Sequence, residues 1–485
     1  MADLRDILYQ VNLVAVSGKT DIEAKGICFD SRKIKAGDIF VAVRGTQHDG
    51  HNFLAQAAAM GAAAIICETL PPITEPNVVY ITVQDSAQAL GVITSNFFDN
   101  PSKKLKLVGV TGTNGKTTVV TLLHQLYSAL GYKAGMLSTV VNKIAEEEIP
   151  STHTTPDPIQ LNQLLASMVK QGCTHCFMEV SSHAVVQGRI AGLHFAGALF
   201  TNLTHDHLDY HGTFDRYIRA KKGFFDALPS NAFALVNIDD KRGQVMLQNC
   251  KAKKTTMSLA AMADFRAKII SNTIEGLELD VNGKMVWFTM VGSFNAYNII
   301  TVFGAAMLLG EEEERVLTCM STLKGAPGRM EMLRGKFIGI VDYAHTPDAL
   351  KNVLETINNF RTGNEQVIAV VGCGGDRDRS KRPLMADIAC KNSDKVILTS
   401  DNPRHEETME IIRDMQTGVR LADRRKTLVM PDREEAIKTA CLMAQEKDIV
   451  LVAGKGHEAY QDIKGVKHPF DDREVLGRML HMFKK

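Results

Sequence analysis

The stretch Leu105-Lys106-Leu107-Val108-Gly109-Val110-Thr111-Gly112-Thr113-Asn114-Gly115-Lys116-Thr117-Thr118 decides how the rest of the chain is read. Its opening residues form an apolar run short enough for a buried strand. Gly112 to Thr117 then supply two glycines, a lysine and hydroxyl side chains, and Val119, Leu122, Leu123, Leu126 and Leu130 follow at helical spacing. Strand, glycine-rich turn and helix in this order make a phosphate cradle. The glycines let the backbone curl until its N–H groups face phosphate oxygens. Lys116 sets its charge against the outer phosphates, and the Thr117 hydroxyl suits Mg2+. The match to a standard phosphate loop is incomplete, because Val110 stands six residues before Lys116, where that pattern has glycine.

Outward from this turn the chain divides into three α/β regions. Ahead of it, 27–32, 38–43, 63–67 and 78–83 read as strands, with helices at 53–60 and 86–97. Asp99-Asn100-Pro101-Ser102 breaks the pattern, so a first domain is expected over 1–103. Beyond the turn, 196–202 and 232–237 repeat the buried-strand pattern, while 254–290 reads as antiparallel with Gly283 in a hairpin turn. A central domain over 104–329 ends at Gly325-Ala326-Pro327-Gly328. In 330–485, strand patterns at 337–341, 367–371, 396–399 and 448–453 alternate with helical ones at 348–358 and after Glu407, which predicts a mostly parallel, helix-covered sheet. Ligands of such sheets gather at the carboxyl ends of the strands.

Composition narrows the function. Of 485 residues, 45% are hydrophobic and 23% charged, which is ordinary globular material rather than a disordered chain. Lys plus Arg number 56 against 55 Asp plus Glu, and this balance argues against a nucleic-acid-coating or strongly basic membrane-surface protein. The N-terminus lacks the pattern of a signal peptide, and the apolar run 53–67 is too short to span a bilayer. Cys173 and Cys176 form the one CxxC pair, read as reduced core or surface thiols rather than a metal or redox motif. A cytoplasmic protein without membrane insertion is expected.

Two polar clusters stand beside predicted strand ends. Glu179 closes Phe177-Met178-Glu179-Val180, and His207 lies in Thr204-His205-Asp206-His207-Leu208-Asp209-Tyr210-His211-Gly212. A carboxylate and an imidazole at ligand-facing ends suit cation binding next to phosphates. Read locally, a strand-end surface acid is the lesser alternative for Glu179, and Lys221 reads as an exposed helix lysine.

Taken together the motifs resemble the ATP-dependent Mur ligase family of bacterial cell-wall synthesis. The resemblance spans essentially the whole chain. It rests on Asp30-Ser31-Arg32, the loop 111–118, Thr154-Thr155-Pro156-Asp157, Glu179-Val180-Ser181-Ser182-His183-Ala184 and Asp206 to Gly212. Further on it rests on Pro327-Gly328-Arg329-Met330-Glu331, Asp342-Tyr343-Ala344-His345-Thr346-Pro347-Asp348, Gly374-Gly375-Asp376-Arg377-Asp378, Asp401-Asn402-Pro403-Arg404 and Gly454-Lys455-Gly456-His457-Glu458.

The resemblance implies a three-domain α/β architecture: a domain for a UDP substrate, a central P-loop ATPase-like domain and a Rossmann-like C-terminal domain for an amino acid. It implies ATP and Mg2+ at Gly112, Thr113, Asn114, Gly115, Lys116, Thr117 and Thr118, with Asn295, Arg329 and Asp342 around the nucleotide and Tyr343 and His345 close by. Metal binding falls to Thr117, Glu179 and His207. Lys221 matches a lysine carbamylated by CO2, an anionic holder for a second Mg2+. Lys116, Glu179, His207 and Lys221 form the expected catalytic set. Ser31, Thr154, Thr155, Ser181 and Arg189 match positions that meet UDP-N-acetylmuramoyl-L-alanyl-D-glutamate. Arg377, Asn402, Arg404, Gly454 and Glu458 match a site for meso-2,6-diaminopimelate, Arg404 suiting a distal carboxylate and Glu458 an ammonium. The implied activity is ADP-forming amide ligation through an acyl phosphate, with no obligate protein partner. A relative adding lysine, and an ATP-controlled cell-wall scaffold with a degenerate core, are the alternatives.

Overall fold

The computed structural model describes residues 2–45, 48–204, 206 and 208–482. Its first sheet has five strands in the order Leu13–Ser17, Val79–Val83, Ala64–Cys67, Asp38–Val41 and Gly26–Cys28, parallel except for Leu13–Ser17 at one edge. Alternation along the strands builds two cores. Ile39, Val41, Ala64 and Ile66 pack on one face, and Phe40, Ile65 and Tyr80 on the other. The helix Ser86–Phe97, capped by Asp85, seats this layer on the rest of the molecule. Ser95 Oγ donates to Gly192 O at 3.1 Å, and the Ser102 hydroxyl accepts from His194 N at 3.0 Å.

The second sheet carries eleven strands. Its parallel centre runs Ala134–Leu137, His175–Glu179, Lys106–Thr111, Gly197–Phe200, Phe233–Asn237 and Lys253–Ser258. Val108 and Val110 pack against the helix Lys116–Ala129, while Leu107 faces the opposite core with Leu161 and Phe225. The helix Ser293–Leu309 is apolar on all sides and buried over most of its length. One sequence expectation needs correcting here. Residues 254–290 are not antiparallel throughout, because Lys253–Ser258 continues the parallel sheet on both its sides. Antiparallel pairing begins between Phe265–Thr273 and Gly276–Val281 and continues to Lys284–Phe288 across the Asn282-Gly283 turn. Hydrophobic alternation along a strand does not report the direction of its partner, so the sequence pattern was blind to this change.

The third sheet has the order Glu331–Arg334, Ile338–Asp342, Ile449–Ala453, Val367–Cys373, Lys395–Ser400 and Thr427–Val429, parallel after the first pair. Helices Pro347–Phe360, Lys381–Asn392 and Thr408–Gln416 supply one face and Arg433–Met443 and Asp472–Met482 the other. Beneath the strand ends Arg433 and Asp472 form a fully buried bidentate pair, with both oxygens at 2.8 Å. The same guanidinium donates to Ser400 O and Ala453 O at 3.0 Å each. It therefore fixes the spacing of the two strands that lead into Asp401 and Gly454. A short hairpin, Tyr460–Ile463 with Val466–Pro469, lies over the same loops.

Candidate active site

The carboxyl ends of the second and third sheets face each other across two cavities, of about 270 Å³ and about 420 Å³. The phosphate loop contributes to both. Gly115 sits at φ +89°, a left-handed conformation, and an added Cβ there would lie 2.6 Å from Asn298 Oδ1. The loop then runs into the N-terminus of the helix Lys116–Ala129, where unpaired N–H groups favour anions. Asn202 anchors the loop from the neighbouring strand end: its Oδ1 accepts from Asn114 N at 3.0 Å, and its backbone O accepts from Thr113 N at 2.8 Å.

Two lysines converge on one carbonyl oxygen. Lys116 Nζ donates to Gly112 O at 3.0 Å and to Thr113 O at 2.8 Å, and Lys221 Nζ donates to the same Gly112 O at 2.9 Å. Lys221 projects from the helix Phe214–Asp226 and is only 2% exposed, so it is not the surface lysine that its local sequence suggests. Burial, followed by the Lys116 charge, lowers its pKa well below the ordinary lysine value, with Asp206 opposing. Burial lowers that of Lys116 as well.

Glu179 is buried, not a surface acid. Its Oε1 accepts from the Thr117 hydroxyl and from Thr139 N, each at 2.9 Å. Arg329 Nη2 donates to the Thr117 hydroxyl from the other side at 3.2 Å, while its guanidinium stacks 4.3 Å from the Tyr343 ring centre and its buried Nε has no partner. A hydroxyl and a carboxylate oxygen are the donor types a hard dication such as Mg2+ takes, so Thr117 and Glu179 fit that ion. His207 lies outside the described residues. Among the described residues no group of three or more His, Cys, Asp and Glu gathers as a metal site.

The larger cavity is lined by Asn114, Gly115 and Thr118 on one side, Phe294, Tyr297 and Asn298 on another, and Tyr343, His345 and Asp348 from the third sheet. Asn295 does not line it. Its amide donates to Val291 O at 2.8 Å and accepts from Asn298 at 2.9 Å, so it orients Asn298 from behind. The Asn295 side chain is turned back onto Val291 O, one helical turn earlier, while Asn298 on the next turn reaches the cavity. Asp342 lines this pocket and accepts from Met330 N and Ala344 N at 2.6 and 2.8 Å.

The smaller cavity joins the phosphate loop, Glu179 and Lys221 to Arg377, Asn402, Arg404, Gly454 and Glu458. Asn402 Nδ2 donates to Glu458 Oε2 at 2.7 Å. Arg404 Nη1 donates to Gly375 O at 2.7 Å, and its backbone, at φ +49°, is pinned by Asp462 O at 3.0 Å and Lys464 N at 2.7 Å. Gly454, at φ +120°, clears Asp401, whose Oδ2 would lie 2.7 Å from a Cβ there. Arg377 is exposed to the cleft. Lys381 reaches across to Asp206 at 2.5 Å, tying the third sheet to the second.

The remaining expected residues divide. Thr154 lines the smaller cavity and its hydroxyl accepts from Thr139 at 3.0 Å. Ser181 lines it too, and also caps the helix Ser182–Val186. Thr155, Arg189 and Ser31 line neither cavity. The Thr155 hydroxyl is consumed by Glu179 O at 2.8 Å, and Arg189 by Gln187 and by Thr155 O at 2.7 Å. Ser31 is buried at the start of the turn Ser31–Lys33 in the first sheet's layer. Sequence reading missed Thr139 and Asn298, whose segments carry no motif, and Lys381 and Arg382, which follow one directly.

Fold and site define a three-layered α/β enzyme that binds nucleotide phosphates and places a second, charged ligand pocket on a separate C-terminal sheet. Residues 23–98 match the model for the Mur ligase family catalytic domain, 110–306 that for the Mur ligase middle domain, and 328–456 that for the Mur ligase glutamate ligase domain. The chain belongs to the Mur ligase family, ATP-dependent enzymes that form amide bonds, and has its three-domain architecture. It is 60% identical, over 98% of its length and 99% of the relative's, to the UDP-N-acetylmuramoyl-L-alanyl-D-glutamate–2,6-diaminopimelate ligase of Cytophaga hutchinsonii. A solved structure of a ligase of that name covers the whole chain at 34% identity with a TM-score of 0.70, the chain in turn covering 99% of it. The MurF ligase of Thermotoga maritima in complex with ADP shares the fold at 20% identity, with a TM-score of 0.63 over 95% of this chain and 97% of that one.

Proposed function

We propose that this Mur ligase joins meso-2,6-diaminopimelate to the D-glutamyl side-chain carboxylate of UDP-N-acetylmuramoyl-L-alanyl-D-glutamate, with ATP, in the cytoplasmic synthesis of peptidoglycan precursor. The observation that supports it is the smaller cavity, where a phosphate loop meets Asn402, Arg404 and Glu458 in one space. Among the described residues no helix is long and apolar enough to cross a membrane. Residues 1–103 hold the UDP end with Ser31, 104–329 bind ATP, and 330–485 bind the amino acid.

A carboxylate has a poor leaving group, so its oxygen first attacks the ATP γ-phosphorus, giving ADP and an acyl phosphate. Lys116, the loop N–H groups and Arg329 offset the charge that builds on the phosphoryl oxygens. The acceptor amine then attacks the carbonyl, and the tetrahedral intermediate expels phosphate to leave the amide. Arg404 and Arg377 hold the acceptor's distal carboxylate and Glu458 its ammonium. Closure, with Lys381 on Asp206, brings amine and acyl phosphate together and keeps water out. Thr117, Glu179 and His207 would hold Mg2+, which offsets phosphate charge when bound. Lys221 is the residue we assign to carbamylation by CO2. That reaction needs a neutral amine, and burial beside Lys116 favours one.

The test supplies ATP, Mg2+ and the nucleotide dipeptide with diaminopimelate or lysine, and follows ADP and ligated product. Diaminopimelate is the expected acceptor. Product with lysine alone would reassign the acceptor, and no product with either would refute the reading.

A further inference from the structure

We propose that Lys455 is a positioning residue for acceptor choice, holding the Asn402 amide and the Glu458 carboxylate oriented and charged to receive the acceptor's ammonium. This rests on the reading of 330–485 as the diaminopimelate-binding domain. Lys455 lies two residues beyond the strand Ile449–Ala453 and is wholly buried. It lines neither cavity, whereas Asp401, Asn402 and Glu458 all line the smaller one. The ammonium therefore stands behind the wall that the acceptor meets. Its Nζ donates to Asn402 Oδ1 at 3.1 Å and to Glu458 Oε2 at 3.2 Å, and lies 3.9 Å from Asp401 Oδ1.

This contact set decides two things. The first is the orientation of the amide. Asn402 Oδ1 receives both Lys455 Nζ and, at 2.9 Å, Asp462 N, so Nδ2 is left to meet Glu458 Oε2. An amide with donors fixed on its oxygen does not flip.

The second is charge. Asp401 and Glu458 present two carboxylates to one small space, and neighbouring carboxylates tend to share a proton. The other charged or titratable groups around them are Arg433, from its own helix and already engaged by Asp472, Tyr343, from the loop after Ile338–Asp342, Cys373, at the end of Val367–Cys373, and Arg377 and Arg404 across the same cavity. Lys455 is the cation in hydrogen-bond contact with Glu458. Burial and then Asp401 raise the pKa of Glu458, and Lys455 and Asn402 counter them. Oε2 is occupied by these donors, while Oε1 has no protein donor among the described residues and remains for the ligand.

The experiment replaces Lys455→Met, which removes charge and donor, and Lys455→Gln, which keeps a donor. Initial rates are measured against diaminopimelate from about pH 6.5 to 9 with ATP and nucleotide dipeptide saturating. At neutral pH the Met variant should raise KM for diaminopimelate by about 30-fold or more. Its kcat and its KM for ATP should stay within about threefold of wild type. The Gln variant should show a smaller rise. In both, the ratio of variant to wild-type KM should fall as pH rises, because alkali restores the charge on Glu458 that Lys455 otherwise maintains. A pH-independent ratio, or kcat and the KM for ATP moving in step with it, would overturn the proposal. So would failure of both variants to melt cooperatively, which would assign Lys455 to stability. A wild type that turns over no diaminopimelate would instead refute the substrate reading and this proposal with it.

Discussion

Replacing Arg404 should separate acceptor choice from ATP use. The side chain spends Nη1 on Gly375 O, and among the described residues Nε and Nη2 have no partner. Those two N–H groups lie along one edge of the guanidinium and match the two oxygens of a carboxylate. Diaminopimelate carries a distal carboxylate and lysine does not. Losing one partner of a desolvated charge pair costs about 2–5 kcal/mol, or roughly 30-fold to several-thousand-fold in kcat/KM. Arg404→Ala should lose that much with diaminopimelate and far less with lysine. The backbone adds a second, independent readout. Arg404 holds φ +49°, which a residue with a Cβ adopts at a cost of roughly 1–2 kcal/mol. Arg404→Gly removes that cost along with the guanidinium. Glycine's freer unfolded chain takes back roughly 0.5–1 kcal/mol of this, so Arg404→Gly should melt about 1–4 °C higher than Arg404→Ala, while showing the same loss of discrimination. The assay compares initial rates for both amino acids in wild type, Arg404→Ala, Arg404→Gly and Arg404→Lys, with ATP and nucleotide dipeptide saturated. Arg404→Lys restores charge without the fork and should recover only in part. An equal fractional loss for both acceptors would refute the reasoning and assign Arg404 to domain closure or loop structure.

Lys116→Met should cut turnover at saturating ATP by a factor of about 10³ while the variant still melts cooperatively, and near-normal ADP release would contradict its phosphate role. Lys221 holds its proton less firmly folded than unfolded, so its penalty is full below the folded pKa and lifts as pH rises toward 10.5. In CO2-free buffer Lys221→Met should therefore be more stable than wild type at neutral pH, with the gap closing by alkaline pH in denaturant titrations. Wild-type activity should fall on removal of CO2 and return with bicarbonate; activity indifferent to both would argue against carbamylation. Arg433→Met strands a buried carboxylate at Asp472 and should cost about 3–5 kcal/mol, whereas Arg433→Met with Asp472→Leu should recover much of that. Equilibrium unfolding distinguishes the two, and a single variant as stable as wild type would remove Arg433 as the clamp under the acceptor loops.

The parts of the fold that the sequence revealed are those where local pattern and burial say the same thing. The helix over 86–97 matches its predicted span, with Asp85 as its cap, because polar cap, apolar stripe and terminating turn are all local. The phosphate loop was legible for the same reason. What stayed hidden is pairwise. Nothing in Arg433 or Asp472 announces a partner 39 residues away, and the direction of the strand Lys253–Ser258 is a property of its neighbours. Lys221 shows the limit most clearly. By itself it is one more lysine on an amphipathic helix, and only the fold reveals that its face of the helix Phe214–Asp226 meets the carbonyl of Gly112.

The same contrast explains how the site divides its chemistry. Phosphate recognition rests on backbone N–H groups and a helix terminus, which any sequence with the right turn can supply, and so it shows as a motif. The proposed acceptor site rests instead on half-buried charges and a buried amide that need partners to be held in place. Arg404 draws its backbone hold from the hairpin Tyr460–Ile463, and Asn402 takes donors from that hairpin and from Lys455. Burial and Asp401 push the pKa of Glu458 up, and Lys455 and Asn402 oppose them. On the proposed reading Asn402, Arg404 and Glu458 thus each depend on a residue that lines neither cavity. Changing the acceptor would require replacing that supporting set together with Arg404, and so single substitutions at Arg404 should weaken discrimination, with Arg377 still in place, without creating an efficient lysine-adding enzyme.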